Sequence, residues 1–299
     1  MEENLKFSVL ISIYYKEIPE YLDLSLESIT DKQILKPNEI VLVKDGPLTK
    51  ELDAIIERYT SKYPSLFKII PLEKNYGLGK ALNIGLENCS YELVARMDGD
   101  DISKPERFKE QIEIFKNNPD IDICGSWIDE FQMKNKELEV QSIRKVPETN
   151  SEIYQKLKFI CVFNHPTVMY KKSKILEAGS YLQTFALEDY YLWIRLALNK
   201  CKMYNIQKSL IYFRITDGTA KRRGGIKLLK SDLKFQKYLL EEKFINKREY
   251  LKNVFIYGIY RIIPWKLREI LQKKILRKRK YEKPKVYVIY FFIFIMCCK

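Results

Sequence analysis

The first half of the chain alternates short β-rich runs with amphipathic helical patterns, and that order restricts the fold more than any other feature. Residues 7–13 (FSVLISI), 39–43 (EIVLV), 66–70 (LFKII) and 92–97 (ELVARM) read as strands. Two of them are nearly continuous apolar runs of the kind a buried parallel sheet needs. Helical patterns at 20–29, 49–63 and 78–87 lie between them, so the chain is expected to wind a doubly wound sheet covered by helices. A helix over 105–116, with Pro105 in its first turn, leads to a fifth strand at 121–127. Beyond Trp127 the pattern loosens. A polar stretch at 134–139 precedes a helix near 151–159, a strand at 166–170, a helix at 189–198 and a last strand at 209–214.

A chain of 299 residues that is 46% hydrophobic, with only 11 Gly and 11 Pro, can bury a sizeable core and is neither collagenous nor broadly disordered. The net charge of +14 is unevenly spread. From Lys221 onward there are 23 basic and 6 acidic residues, a net +17; the 220 residues before it carry 30 and 33, a net −3. A basic tail suits nucleic acid or an anionic membrane surface, and nucleic acid is disfavoured because no recognition module accompanies the charge. The six cysteines at 89, 124, 161, 201, 297 and 298 form no CxxC pair, and no basic-then-apolar leader opens the sequence. A reducing, cytoplasmic compartment is expected. Residues 286–298 are apolar and uncharged but too few for an ordinary membrane-spanning helix; they are long enough to lie in an interface.

In open parallel sheets, ligands bind beyond the carboxyl ends of the strands. The residues there are acidic: Asp45 follows EIVLVK, and Asp98, Asp100 and Asp101 follow ELVARM. Three carboxylates within four residues repel one another unless a cation or solvent intervenes, and a hard divalent metal beside phosphate oxygens is the natural partner. The run is no EF-hand loop, because Ile102 and Ser103 follow at once. As an isolated tetrapeptide, DGDD reads equally well as an exposed turn. The turn Asn75-Tyr76-Gly77-Leu78-Gly79-Lys80 joins a strand to a helix and offers backbone N–H groups and Lys80 to an anion. A second acidic pair, Glu188 and Asp189, opens the helical run EDYYLWIRL and serves either as a favourable first turn or as a general base. There a helix N-terminus lowers the carboxylate pKa while burial raises it. His165 is the single histidine and cannot form a zinc site by itself.

Taken in order, SVLISIYYKE, VLVKDG, KNYGLGKALNIGL, VARMDGDDISKPERF, NHPTVMY, LEDYYLWIRLA and YFRITDGTAKRRGG resemble the motifs of a family 2 glycosyltransferase of the GT-A fold. The likeness covers about residues 5 to 225. It is nearest to bacterial enzymes of capsule, exopolysaccharide and lipopolysaccharide assembly. The resemblance implies a Rossmann-like, mostly parallel sheet flanked by helices over residues 1–225; the charge and pattern of 226–299 read as a basic helical extension that can meet a membrane. It implies that Ser12, Tyr14, Glu17 and Asp45 hold the base and ribose of a nucleotide sugar, with Asn75 and Lys80 near the nucleotide. It implies that Asp98 and Asp100 match a DxD pair binding ribose, diphosphate and Mn²⁺ or Mg²⁺, and that Asp189 matches the catalytic base with Glu188 beside it. Arg222 and Arg223, in the loop 216–225, are expected to close over the diphosphate. The implied reaction is inverting transfer from a nucleotide sugar, expected to be a UDP-sugar, to a glycan or lipid-linked acceptor at the inner face of the cell membrane. Nucleotidyl transfer to a sugar phosphate and a non-catalytic membrane-binding protein are the rival readings. The sequence departs from the family in SIYYKE, where Pro and Asn are frequent, in Lys44 before Asp45, and in Thr216 and Asp217, where some relatives place a histidine ligand.

Overall fold

In the computed structural model, which describes residues 5–135, 137–216, 224–264 and 266–268, six of the seven residues of β1 (Phe7–Ile13) are buried. Such a strand can only be central. It pairs in parallel with β2 (Glu39–Lys44) and β4 (Leu93–Asp98), and β2 pairs in parallel with β3 (Phe67–Pro71). The connecting helices are α1 (Pro19–Ile29), α2 (Lys50–Lys62) and α3 (Leu78–Asn88). Each begins where the sequence allows: α1 at a proline, α2 behind Thr49, whose hydroxyl accepts the Leu52 N–H at 3.3 Å, and α3 behind Gly77. Val9, Ile11, Leu42 and Met97 face one core with Leu22, Leu26 and Leu52 of α1 and α2. On the other face Leu10 and Val43 press so closely on α3 that a Cβ at Gly85 would stand 2.4 Å from Leu10 Cδ1.

Past β4 the sheet continues antiparallel. The chain runs through β5 (Ile102–Ser103), α4 (Arg107–Asn117), β6 (Ile123–Lys134), β7 (Glu137–Arg144), α5 (Asn150–Leu157), β8 (Met169–Lys171), α6 (Lys172–Glu177), α7 (Glu188–Leu198) and β9 (Met203–Arg214). The strand order is β3-β2-β1-β4-β8-β6-β9-β5, with β7 on β6. Within the stretch 134–139 that reads as polar in sequence, Lys134 ends β6, Asn135 takes a φ of +50° and residues 137–139 begin β7.

By compactness the chain divides into two units, one of Met1–Ile128, Val146–Leu157 and Cys161–Arg214, the other of Asp129–Lys145, Lys158–Ile160 and Ile215–Lys299. The second unit carries α8 (Ile226–Glu241) and α9 (Lys247–Ile262). A capping box starts α9: the Asn246 side chain accepts the Glu249 N–H and the Glu249 carboxylate accepts the Asn246 N–H, each at 2.9 Å. Arg261 Nε donates to Asp232 Oδ2 at 2.6 Å and ties α9 to α8. Among the described residues no helix is long and apolar enough to cross a membrane. The stretches 273–280 and 286–298, and Cys297 and Cys298, lie outside the described residues.

Candidate active site

Strand register brings the acidic residues to one end of the parallel sheet. Ser12 stands opposite Asp98 and Ile13 opposite Lys44, so β1, β2 and β4 finish together. The Asp45 N–H donates to the Ile13 carbonyl at 2.8 Å, continuing the ladder by one bond. Its carboxylate, only 3% exposed, accepts the Tyr76 N–H at 2.7 Å and the Gly77 N–H at 3.0 Å. Asp45 therefore fixes the turn that leads into α3, and each oxygen keeps a further lone pair. The two loops touch at Gly46: its φ is +89°, and a Cβ there would lie 2.7 Å from the Asn75 nitrogen. Asn75 Nδ2 donates to the Asp45 carbonyl at 3.3 Å, and Lys80 sits half-buried in the first turn of α3. Lys44 turns away to pair with Asp53 of α2 at 2.6 Å. Tyr14 is exposed and packs edge-on against Tyr15.

The turn after β4 gathers Asp98, Asp100 and Asp101, with one ligand oxygen from each within 4.8 Å of the others. Ser25 Oγ anchors the turn on the Asp98 carbonyl at 2.8 Å. Gly99 lets it pass close to β1: a Cβ there would come 2.9 Å from Ile13 Cγ2 and 3.9 Å from Glu17 Cδ. From β9, Arg214 donates its N–H to Asp101 Oδ1 and its Nε to the Asp100 carbonyl, both at 2.8 Å. Beneath the cluster Arg96 forms an ion pair with Asp98 while only 2% exposed, and its Nε and Nη1 have no acceptor. Arg107 lies deeper still, with Nη2 donating to the Arg96 carbonyl at 2.6 Å; burial, then the neighbouring Arg96 charge, push its pKa down to about 9.

These arginines do not neutralise the cluster. Burial, then the Asp98 charge, raise Asp100 to about 6. Burial, then Asp100 and Asp98, raise Glu17 to about 7, and Asp101 is driven well above the carboxylate range by burial and its two neighbours. Asp101 Oδ2 is buried without a hydrogen-bond partner. Crowded oxygen donors with excess negative charge fit a hard divalent cation, which prefers oxygen ligands.

The second acidic pair opens α7. Leu187 before it adopts a left-handed φ of +68°, which turns the chain sharply into the helix. Asp189 Oδ1 accepts the Tyr190 N–H at 2.8 Å, and Cys161 Sγ approaches Oδ2 at 3.8 Å. Both contacts favour the anion, yet burial outweighs them and Asp189 is raised. Glu188 is raised by burial and then by Asp189, with a smaller push from Asp98, so the two acidic groups share one electrostatic environment. The starts of α3 and α7 abut: a Cβ on Gly79 would lie 3.8 Å from Glu188 Cβ. Behind them His165 Nε2 and the Tyr181 hydroxyl are 2.9 Å apart. Burial and then Arg96 hold the imidazole pKa well below its usual value, so the ring is neutral at pH 7.

The structure thus gathers Ser12, Glu17, Asp45, Asn75, Lys80, Asp98, Asp100, Glu188 and Asp189 in one unit. Arg222 and Arg223 lie outside the described residues. Sequence reading passed over Arg96, Arg107 and Arg214, which brace the cluster. The signal for Arg96 was present, a charge inside the buried strand LVARMD.

The sequence pattern described as Glycosyl transferase family 2 matches residues 8–179, more than half of the chain. The chain belongs to that family. It is 37% identical over 277 residues to the Escherichia coli UDP-Gal:alpha-D-GlcNAc-diphosphoundecaprenol beta-1,3-galactosyltransferase, covering 93% of this chain and 98% of that protein. It is 38% identical over 271 residues to the amylovoran biosynthesis glycosyltransferase AmsE of Erwinia amylovora, covering 90% and 98%. Among solved structures, S. aureus TarS 1-349 in complex with UDP-GlcNAc superposes with a TM-score of 0.62 at 20% identity, over 85% of this chain and 72% of that one. The mannosyltransferase PcManGT from Pyrobaculum calidifontis, in complex with GDP-Man and Mn2+, gives 0.59 at 12% identity, over 100% and 82%. The family 2 member described here is accordingly a glycosyltransferase with the GT-A fold.

Proposed function

We propose that this family 2 enzyme moves a sugar with inversion from a UDP-sugar to a lipid-linked glycan at the inner face of a bacterial membrane, during assembly of a surface polysaccharide. Support for donor and acceptor comes from the names of the relatives that match nearly end to end, a galactosyltransferase using UDP-Gal and an undecaprenol-linked substrate, and an amylovoran enzyme. The observation that carries the chemistry is that the acidic cluster after β4 and the carboxylates that open α7 lie in one unit, with the start of α7 against the start of α3.

In this reading residues 1–225 form the catalytic part and 226–299 an extension that meets the membrane. Ser12, Tyr14, Glu17 and Asp45 hold base and ribose, while the Asn75 turn and Lys80 lie near the nucleotide. Asp98 and Asp100 hold Mn²⁺ or Mg²⁺, with Asp101 behind them. Bound there, the ion supplies positive charge where the leaving diphosphate becomes more negative. Asp189 accepts the proton of the attacking acceptor hydroxyl, and its burial makes it a stronger base than an exposed aspartate. Glu188 keeps a second negative charge beside it. Arg222 and Arg223 add cationic stabilisation over the diphosphate.

The test is a panel of sugar nucleotides scored by thermal shift with and without Mn²⁺, since a ligand that binds only the native state raises the melting temperature. One UDP-sugar should stabilise the protein in an ion-dependent way, and free UDP should appear on incubation with a lipid-linked acceptor. Release of pyrophosphate from a nucleoside triphosphate, with no response to any sugar nucleotide, would sink the reading.

A further inference from the structure

Helix α9 is built the wrong way round for a helix packed in a soluble protein. Its inner face is held by polar groups: Asn253 Nδ2 donates to Gln236 Oε1 at 2.8 Å and to the Lys158 carbonyl at 2.7 Å, the Tyr257 hydroxyl donates to the Phe159 carbonyl at 2.7 Å, and Arg261 pairs with Asp232. Its outer face is apolar. Leu251, Phe255, Ile259 and Ile262 are 65%, 58%, 44% and 72% exposed, and their spacing of four, four and three residues places them on one stripe. The stripe is about 16 Å long at 1.5 Å per residue, and Leu267, beyond the helix end, is exposed as well. An ordinary amphipathic helix puts its apolar stripe on the core.

The charges beside the stripe are of one sign. Lys247 and Arg248 stand exposed where it begins, and the Lys252 ammonium lies 5.3 Å from the centre of the Phe159 ring. From Lys243 to Arg268 the only acidic residue is Glu249, and it is engaged by Lys158 at 3.1 Å and by the Asn246 N–H. A second copy of the chain docked face to face would bring these cations against their own counterparts. Lipid phosphates complement them, and acyl chains accept the apolar stripe between them.

We propose that the outer face of α9 is a docking surface for an anionic lipid bilayer, lying flat in the interface with Phe255 at its centre. The proposal rests on the membrane-side reading given above and assigns it to one surface within the described residues, independent of the stretches 273–280 and 286–298.

Flotation of the full chain with phosphatidylglycerol-containing vesicles tests it. The wild type should float, with release at high salt and little binding to phosphatidylcholine alone. Phe255→Glu with Ile259→Glu should lower the partition coefficient about tenfold or more, and Lys247→Gln with Arg248→Gln should weaken binding to anionic vesicles selectively. These side chains are exposed, so unchanged thermal melting and unchanged nucleotide-sugar hydrolysis without lipid show that fold and catalysis survive. A second variant, Phe255→Trp, should gain a blue-shifted emission quenched by brominated lipid. If the glutamate variant floats as the wild type does, or the tryptophan is never quenched, lipid docks elsewhere and this surface is wrong. Should the protein form a dimer without vesicles that the glutamates dissolve, a second copy covers the face and the proposal fails. A wild type that never floats also overturns it, while sugar transfer to a water-soluble acceptor still reports separately on the proposed reaction.

Discussion

Arg96 and Asp100 sit a few residues apart and pull the stability of the site in opposite directions. Arg96 is a buried cation paired with Asp98, so Arg96→Met leaves three crowded carboxylates without that positive charge. Breaking a buried pair by removing one partner costs about 3 kcal/mol or more. Denaturant unfolding should show that loss without added metal and a partial recovery with Mn²⁺, which restores positive charge. Asp100→Asn does the reverse. It relieves the repulsion that raises Asp100 and Glu17, so the metal-free variant should be at least as stable as the wild type, while calorimetry should find its Mn²⁺-dependent nucleotide binding gone. Asp189→Asn keeps the shape of the base but cannot take a proton; turnover should fall about a hundred- to ten-thousand-fold with donor affinity unchanged. A larger loss for Glu188→Gln would exchange the two roles, and near-normal rates for both would reduce the pair to a helix start.

At the scale of elements, the strand-end loops depend on two glycines that differ in a testable way. Gly77 has a φ of +87° with open space around its would-be Cβ, whereas Gly46 combines a φ of +89° with backbone of the Asn75 turn 2.7 Å away. Gly77→Ala has room for its Cβ but must hold φ +87° with ψ 158°, a region essentially reserved for glycine, at a cost of about 1–3 kcal/mol. Gly46→Ala must also push the two loops apart, so it should lose more stability and weaken nucleotide binding, read by thermal shift with and without nucleotide. The parallel half of the sheet was legible because β1 and β2 are buried on both faces and spell nearly continuous apolar runs, and β4 is apolar but for Arg96 and its terminal Asp98. The antiparallel half was harder to read. β5 has two residues and β8 three, too few to show a period, and β7 alternates exposed and half-buried positions, so ELEVQSIR reads as surface. Of the site, the acidic residues after the strands stood out because charge follows apolar runs there. The hydrogen bonds from Tyr76 and Gly77 to Asp45 were illegible, since they join residues 31 and 32 positions apart.

For the whole molecule, the pH dependence of stability follows the carboxylates that burial and mutual repulsion raise, the cluster with Glu17 and the pair Glu188 and Asp189. Glu17 rises from 4.5 to about 7 and Asp100 from 3.8 to about 6, so the native state holds protons that the unfolded chain has already released. Stability from these groups is complete below about pH 4 and is lost as pH rises through 6 and 7, because the unfolded state there binds fewer protons than the native one. His165 works the other way. Buried in its neutral form, it favours folding above pH 6.5 and loses that contribution as pH falls below it. Carboxylates held low, such as Glu39 and Glu249, titrate at more acidic pH. Between pH 6.5 and 8 the raised carboxylates set the downward slope, opposed near its lower end by protonation of His165 in the unfolded chain, and the melting temperature in EDTA should fall as pH rises. A divalent cation competes with those protons, so the stabilisation by Mn²⁺ should widen over the same interval. Glu17→Gln cannot release a proton and should flatten the fall in EDTA. A melting temperature that rises across this interval, with a Mn²⁺ increment independent of pH, would show that the cluster is ionised throughout and that its repulsion is relieved by groups other than a bound cation.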